Sequence, residues 1–179
     1  MTKTEATLEE LLRHFTLYDK RSGKLFWKVS PSARAPVGKE VGSLQDGYLY
    51  SQITYEGNRY KFPVHKAIWF WLYGFYPEGI VDHKDNNRLN NLPDNLRLAT
   101  RTENNRNRFY GKGSSQYQGV YYHTKNKKWV AQIVHDNNYV YLGSFKEEVD
   151  AAKTYDEHAK KLFGDFAHLN FLERYEDKE

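Results

Sequence analysis

Asp82, His83, Asn95 and Asn104 are the residues of this 179-residue sequence whose types and spacing could do chemistry. A carboxylate oxygen at Asp82 and an amide oxygen at Asn104 are hard donors of the kind Mg²⁺ takes. That ion keeps several waters, so few protein ligands are needed. The His83 imidazole, with an ordinary pKa near about 6.5, is a natural general base. Asn95 can hydrogen-bond that ring and fix its orientation. A bound cation, a base and a group that orients the base are what hydrolysis of a phosphodiester requires. The same residues also read as turn-capping groups, because Asn and Asp hydrogen-bond their own backbone in polar loops. Successive strand residues point to opposite faces, so Asp82 and His83 meet at one point only through a distortion or from two sides.

The four residues lie in a stretch, 80–108, that holds eight asparagines between short apolar runs. Ile80 to Lys84 reads as a strand, Lys84 to Asp94 as a loop of amides and charges, and Asn95 to Ala99 as a second strand. Thr100-Arg101-Thr102-Glu103 is a capping box that starts a helix running to about Arg108. A ββα unit of this order would gather the four residues.

Upstream, Thr7-Leu8-Glu9-Glu10 is another capping box and predicts a short helix carrying Leu11, Leu12 and Phe15. Lys24 to Val29 reads as a strand and Ser30 to Gly47 as a loop. Tyr48 to Tyr55 and Asn58 to Val64 form a hairpin across Glu56-Gly57. His65 to Tyr73 is a helix stopped by Gly74. Downstream, Phe109 to Gln116 has the composition of a linker. Gln118 to His123, Lys128 to His135 and Tyr139 to Phe145 read as three strands. Glu147 to Phe163 is a helix with Val149, Ala152, Tyr155, Ala159 and Leu162 on one stripe and Gly164 as its cap. The fold class is therefore α+β, and there is no internal repeat.

Composition narrows the function classes. With no cysteine, disulfide frameworks and thiolate zinc sites are excluded. No apolar run has the length of a membrane span and the N-terminus lacks a signal-peptide core, so the expectation is a soluble intracellular protein. The formal net charge is +4, but Leu96 to Lys128 carries eight Lys or Arg against one acid, Glu103. A basic band beside a polar site favours a polyanionic partner. Arg97, Arg101, Arg106, Arg108 and Lys112 are the candidate phosphate contacts, which position DNA without specifying its sequence.

The pattern His65…Val81-Asp82-His83…Asn91…Asn95-Leu96-Arg97…Asn104…Asn107 resembles an HNH endonuclease of the homing or phage type. The resemblance implies a ββα-metal fold and a single divalent metal, Mg²⁺ or Mn²⁺, bound by Asp82 and Asn104. It further implies that His83 activates water, that Asn95 orients His83, and that products carry 5′-phosphate and 3′-hydroxyl ends. His65 matches the family's upstream histidine and is expected to serve structure on its helix. Asn91 is expected to stabilise the loop.

Tyr117-Gln118-Gly119-Val120, Lys128-Trp129-Val130-Ala131-Gln132-Ile133, Tyr141-Leu142-Gly143-Ser144-Phe145, Ala151-Ala152…Tyr155-Asp156 and Leu169-Asn170-Phe171 resemble, in order, an AP2 domain. Such a domain lays a three-stranded sheet in the DNA major groove. Strand alternation puts Val120, Tyr122, Trp129, Ala131, Ile133, Val140 and Leu142 toward the helix. It puts Tyr121, His123, Lys128, Val130, Gln132, Val134, Tyr139 and Tyr141 outward. Of these, Tyr121, His123, Lys128, Gln132, Tyr139 and Tyr141 are the candidate DNA contacts. Positions that are arginine in the plant-type pattern are here Gln118, Tyr121, His123, Val134 and Tyr139, so base recognition does not carry over.

These readings give a nuclease domain over 1–110 with its core at 65–108 and an N-terminal β-hairpin extension. A linker at 111–116, an AP2-like domain over 117–172 and an acidic tail at 173–179 follow. The expected function is metal-dependent nicking of double-stranded DNA by a monomer with no protein partner and no membrane. The alternatives are a non-catalytic DNA-binding regulator built on an HNH-like scaffold, and a protein acting on RNA, suggested by the exposed tyrosines.

Overall fold

The computed structural model describes residues 7–106, 113–136 and 138–171. The chain divides into two compact units, 1–100 and 101–179. Among the described residues no helix is long and apolar enough to cross a membrane.

The first unit opens with α1 (Leu8–Phe15). Its capping box forms as the sequence requires: Glu10 N–H donates to Thr7 Oγ1 and Thr7 N–H donates to Glu10 Oε2. The helix buries Leu11, Leu12 and Phe15. The chain then runs directly into β1 (Thr16–Asp19), which pairs antiparallel with β2 (Lys24–Trp27). β1 lies outside the strands expected from sequence, because Thr16-Leu17-Tyr18-Asp19 is only one alternation long beside a helix end. The expected loop 30–47 also holds a short strand, β3 (Ser43–Gln45), and a bridge from Glu40 to Phe26. β3 is exposed throughout, so no apolar period marks it.

β4 (Tyr48–Tyr55) and β5 (Asn58–Pro63) complete a three-stranded sheet in the order β3-β4-β5. Their turn places Glu56 at φ 47° and Gly57 at φ 82°, the double positive φ that suits the twist of a two-residue hairpin. α2 (Val64–Tyr73) follows and is closed by Gly74 in the left-handed region, whose N–H donates to Phe70 O. Leu12, Leu25, Val41, Ile53, Phe62, Ile68 and Phe70 form one buried core that extends to Val81 and Leu96. Those last two belong to β6 (Ile80–His83) and β7 (Leu96–Ala99), an antiparallel pair. The core thus fixes the hairpin that carries Asp82 and His83. Asn95, expected to open the second strand, instead ends a 3-10 turn over Pro93–Asn95, as a proline at the first position favours.

The second unit begins with α3 (Arg101–Arg106). β8 (Val120–His123), β9 (Lys128–His135) and β10 (Asn138–Phe145) form an antiparallel sheet in the order β10-β9-β8, with α4 (Glu148–Phe163) packed on one face. Val120, Ala131, Ala151 and Ala152 make one buried cluster, and Ile133, Tyr155 and Ala159 a second. Alanines let the helix approach the sheet closely. Gly119 is needed for the same reason. Its φ is +73°, and a Cβ there would stand 2.0 Å from Tyr155 Cδ2 and 2.6 Å from Gln132 O. The ends of the unit are tied by Asn170, whose Oδ1 accepts from Gln118 N–H and whose Nδ2 donates to Gln118 O and Asp156 Oδ1.

Candidate functional site

Asp82 and His83 are adjacent on β6 and both are buried. Alternation gives them different partners, as the pleat demands. Asp82 stands opposite Arg97 across the hairpin. Arg97 Nε and Nη2 both donate to Asp82 Oδ2, at 2.9 and 2.7 Å. Arg97 was expected to meet phosphate; here its guanidinium neutralises the carboxylate.

His83 donates its hydrogen bond to a residue expected only to stabilise the loop. Its Nε2 lies 3.0 Å from Asn91 Oδ1. Asn91 Nδ2 points to Leu89 O, which leaves the amide oxygen facing the ring. An oxygen cannot donate, so Nε2 carries the proton and Nδ1 the lone pair. Asn91 is itself positioned from the first hairpin. Tyr18 Oη donates to Asn91 O, and Gly23 packs so closely that a Cβ would meet the Asn91 and Leu92 backbone at 3.0 Å. β1, the strand without a sequence signal, thus supports the residue that fixes the imidazole.

Asn95 does not bond the imidazole in the way expected; its side chain organises the loop. Its Oδ1 accepts from Asp85 N–H, and its Nδ2 donates to Asp85 Oδ1 and Asn90 O. Its carbonyl accepts from Lys84 N–H. Asp85 also accepts from Asn87 N–H and Asn90 Nδ2, while Asn86 takes φ 59°. The concentration of asparagine is explained by this network: side-chain amides supply the partners that a strand ladder would otherwise give.

A second histidine completes the setting. His65, on α2, is 9% exposed and its ring lies 5.4 Å from that of His83 and 5.3 Å from that of Tyr48. Arg88 covers Tyr48 at 4.5 Å and donates to Asp46 O. Burial, aided by the nearby His83 and Lys66, pushes the His65 pKa down to about 3. Burial also lowers the pKa of His83, against the raising influence of the Asn91 bond and of Asp85 and Asp82. Both rings are therefore neutral at neutral pH. A cleft of about 390 Å³ opens here, lined by Tyr48, Tyr50, His65, Lys66 and Glu78 among others.

Among the described residues no three His, Asp or Glu side chains gather as a metal cage. Asp82 is the buried carboxylate of this site, a hard oxygen donor of the kind a divalent cation takes, and here it is paired with Arg97.

In the second unit, Asn104 sits half-buried on α3. Arg101 is exposed on the same helix, and Arg106 stacks 4.9 Å over the Phe163 ring. Arg108 and Lys112 lie outside the described residues, as do Asn107 and the acidic tail. On the sheet face away from α4, register aligns Tyr121 with Val130, His123 with Lys128, Gln132 with Tyr141 and Val134 with Tyr139. Tyr139 and Tyr141 are 75% and 64% exposed. Lys128 is exposed, and Tyr121, His123 and Gln132 are half-buried. Val130 belongs to this face by register but is buried, contrary to expectation; it sits on the middle strand between Tyr121 and Ser144. On the opposite face Val140 and Tyr122 remain 42% and 37% exposed. Tyr122 rests edge-on against Trp129.

Residues 62–106 match the HNH endonuclease family and residues 115–165 match the AP2 domain family. An uncharacterised HNH endonuclease of Acanthamoeba polyphaga mimivirus is 35% identical over 115 residues, covering 63% of this chain and 59% of the viral protein. An AP2-like ethylene-responsive transcription factor of Arabidopsis thaliana is 40% identical over 72 residues, 38% of this chain and 13% of the plant protein. A solved structure of the HNH homing endonuclease I-HmuI is 28% identical and covers 50% of this chain and 49% of that one, with a TM-score of 0.38. The chain thus spans between about one-eighth and three-fifths of the length of these relatives.

Proposed function

We propose that this chain, an HNH segment followed by an AP2 segment, is a metal-dependent DNA endonuclease that nicks one strand of a duplex. The observation that carries the reading is the fixed imidazole of His83. It is buried beside Asp82, and its Nε2–H donates to Asn91, the tautomer in which Nδ1 is the basic nitrogen. A base must have the right tautomer before it can take a proton from water, and Asn91 supplies that constraint.

In this reading His83 Nδ1 accepts the proton of the attacking water. Asn91 holds the ring against rotation, and Asn95 acts through the loop by locking Asp85 and Asn90. Asp82 offers an anionic oxygen to one divalent cation, Mg²⁺ or Mn²⁺. The family pattern gives Asn104 the amide oxygen. When bound, the cation neutralises charge developing on the phosphate and the departing oxygen. The products expected are a 5′-phosphate and a 3′-hydroxyl. One such centre cuts one strand, so a monomer nicks.

The AP2 sheet holds the duplex. Tyr139, Tyr141, Lys128 and Val134 are exposed on its outer face, with Tyr121, His123 and Gln132 half-buried among them. Tyr121, His123, Val134 and Tyr139 standing where the plant-type pattern has arginine favour contact with backbone and groove shape over base-edge reading. Arg101, Arg106, Arg108 and Lys112 serve as phosphate contacts.

The test is incubation with supercoiled plasmid and Mg²⁺. Wild-type protein should give nicked circle, while Asp82→Ala and His83→Ala should bind duplex DNA but leave it supercoiled. Duplex binding without nicking, in Mg²⁺ and in Mn²⁺, would assign the chain to DNA-binding regulators instead. Preferential competition by RNA would assign it to RNA.

A further inference from the structure

Arg97 is the group that the proposed reaction leaves without a task. It lies directly across the hairpin from Asp82, and the two side chains are 10% and 8% exposed. Two guanidinium N–H groups converge on one oxygen, Oδ2. A buried carboxylate requires a cation, and removing that cation leaves an uncompensated charge. A divalent ion on Asp82 would place further positive charge beside the guanidinium, in a setting that screens poorly.

We propose that Arg97 is the resident counter-ion of the metal position. It neutralises Asp82 in the metal-free chain, yields the carboxylate when a divalent cation arrives, and then turns to the DNA phosphate at the cut. This rests on reading Asp82 as the metal donor. A guanidinium presents the same planar fork to carboxylate and to phosphate, so one side chain serves both states. The consequence is coupling. The dication and Arg97 repel each other until a phosphate offsets both, so metal binds weakly to the free protein and more tightly beside DNA. The site loads only where there is something to cut.

The experiment is a Mn²⁺ titration of the full chain read by electron paramagnetic resonance, with wild type, Arg97→Gln and Asp82→Asn. Arg97→Gln should bind free Mn²⁺ at least about tenfold more tightly than wild type, because the competing charge is gone. Asp82→Asn should bind at least about tenfold more weakly. Adding duplex DNA should tighten Mn²⁺ binding to wild type and have much less effect on Arg97→Gln. An affinity for free Mn²⁺ in Arg97→Gln equal to or weaker than wild type overturns the proposal while leaving Asp82 as a metal donor. Undiminished binding in Asp82→Asn removes the metal reading of Asp82 and this inference with it. Because Arg97→Gln removes a buried guanidinium from beside a buried carboxylate and can fail to fold, wild-type protein supplies a second measurement. The Arg97 Nε–H signal should shift and exchange faster with water as Mg²⁺ is added. A signal unchanged at saturation contradicts the exchange of partners.

Discussion

His65 makes stability depend on acid. Its ring is buried between those of Tyr48 and His83, and its pKa is pushed from 6.5 down to about 3. The folded chain therefore resists protonation there while the unfolded chain does not. Stability is fully present above about pH 6.5 and is lost as pH falls toward 3, because the unfolded state then binds the extra proton. At pH 5 the unfolded-state gain is RT ln(1 + 10^1.5), or about 2 kcal/mol, with almost no offset from the folded state. Below pH 3 the loss approaches about 5 kcal/mol. Burial lowers the pKa of His83 in the same direction and adds to this dependence. The assay is urea unfolding at pH 8 and pH 5 followed by tryptophan fluorescence. Trp27, Trp69 and Trp71 all lie in the first unit. His65→Phe keeps a ring in the packing and removes the titration. It should recover about 2 kcal/mol of the difference between the two pH values. Equal pH dependence in His65→Phe and wild type would refute the claim that His65 is held neutral by burial.

Three further outcomes follow from the geometry. Asn91→Ala leaves the His83 Nε2–H without its acceptor; stability should drop by about 1–3 kcal/mol. Single-turnover nicking should slow by about 10²-fold or more, with duplex binding unchanged by gel shift. Gly119→Ala drives a methyl into Tyr155 at a positive φ and should cost the second unit about 3 kcal/mol or more, seen as an early Trp129 fluorescence transition with loss of DNA binding. The double change Tyr139→Ala, Tyr141→Ala removes two exposed rings and one exposed hydrogen bond, between Tyr141 Oη and Ser144 Oγ. It should leave stability within about 1 kcal/mol by thermal melting and weaken duplex affinity at least about tenfold by fluorescence anisotropy.

Where local chemistry is self-sufficient, the sequence is transparent. The Thr7 and Glu10 box, the Glu56-Gly57 turn, the Gly74 stop and the apolar stripe of α4 each specify their element without help from distant residues. The hairpin bearing Asp82 and His83 was also visible, as was the outward face of the second sheet. What stayed hidden depends on pairing at long range. β1 and β3 carry no period of their own and exist because a partner strand is present. The contact of Asn91 with His83 is set by a loop whose shape comes from Asp85, Asn90 and Asn95 acting together, and by Tyr18, 73 positions away in sequence. With so many amides in one loop, residue type alone could not say which one meets the ring. The Asp82–Arg97 pair had a signal that register would have exposed: once the strands are aligned with His83 opposite Leu96, the next step puts the two charges face to face. Val130 shows the limit of alternation, which gives the face of a side chain but not how far its neighbours cover it.

The most direct test of the central claim is the nature of the nick. Supercoiled plasmid is treated with the full chain and Mg²⁺, and the product is offered to DNA ligase, which reseals only a 3′-hydroxyl facing a 5′-phosphate. The expected result is nicked circle that ligase closes, and none from His83→Ala at equal DNA binding. Nicked circle formed equally by His83→Ala, or ends that ligase cannot join, would contradict it.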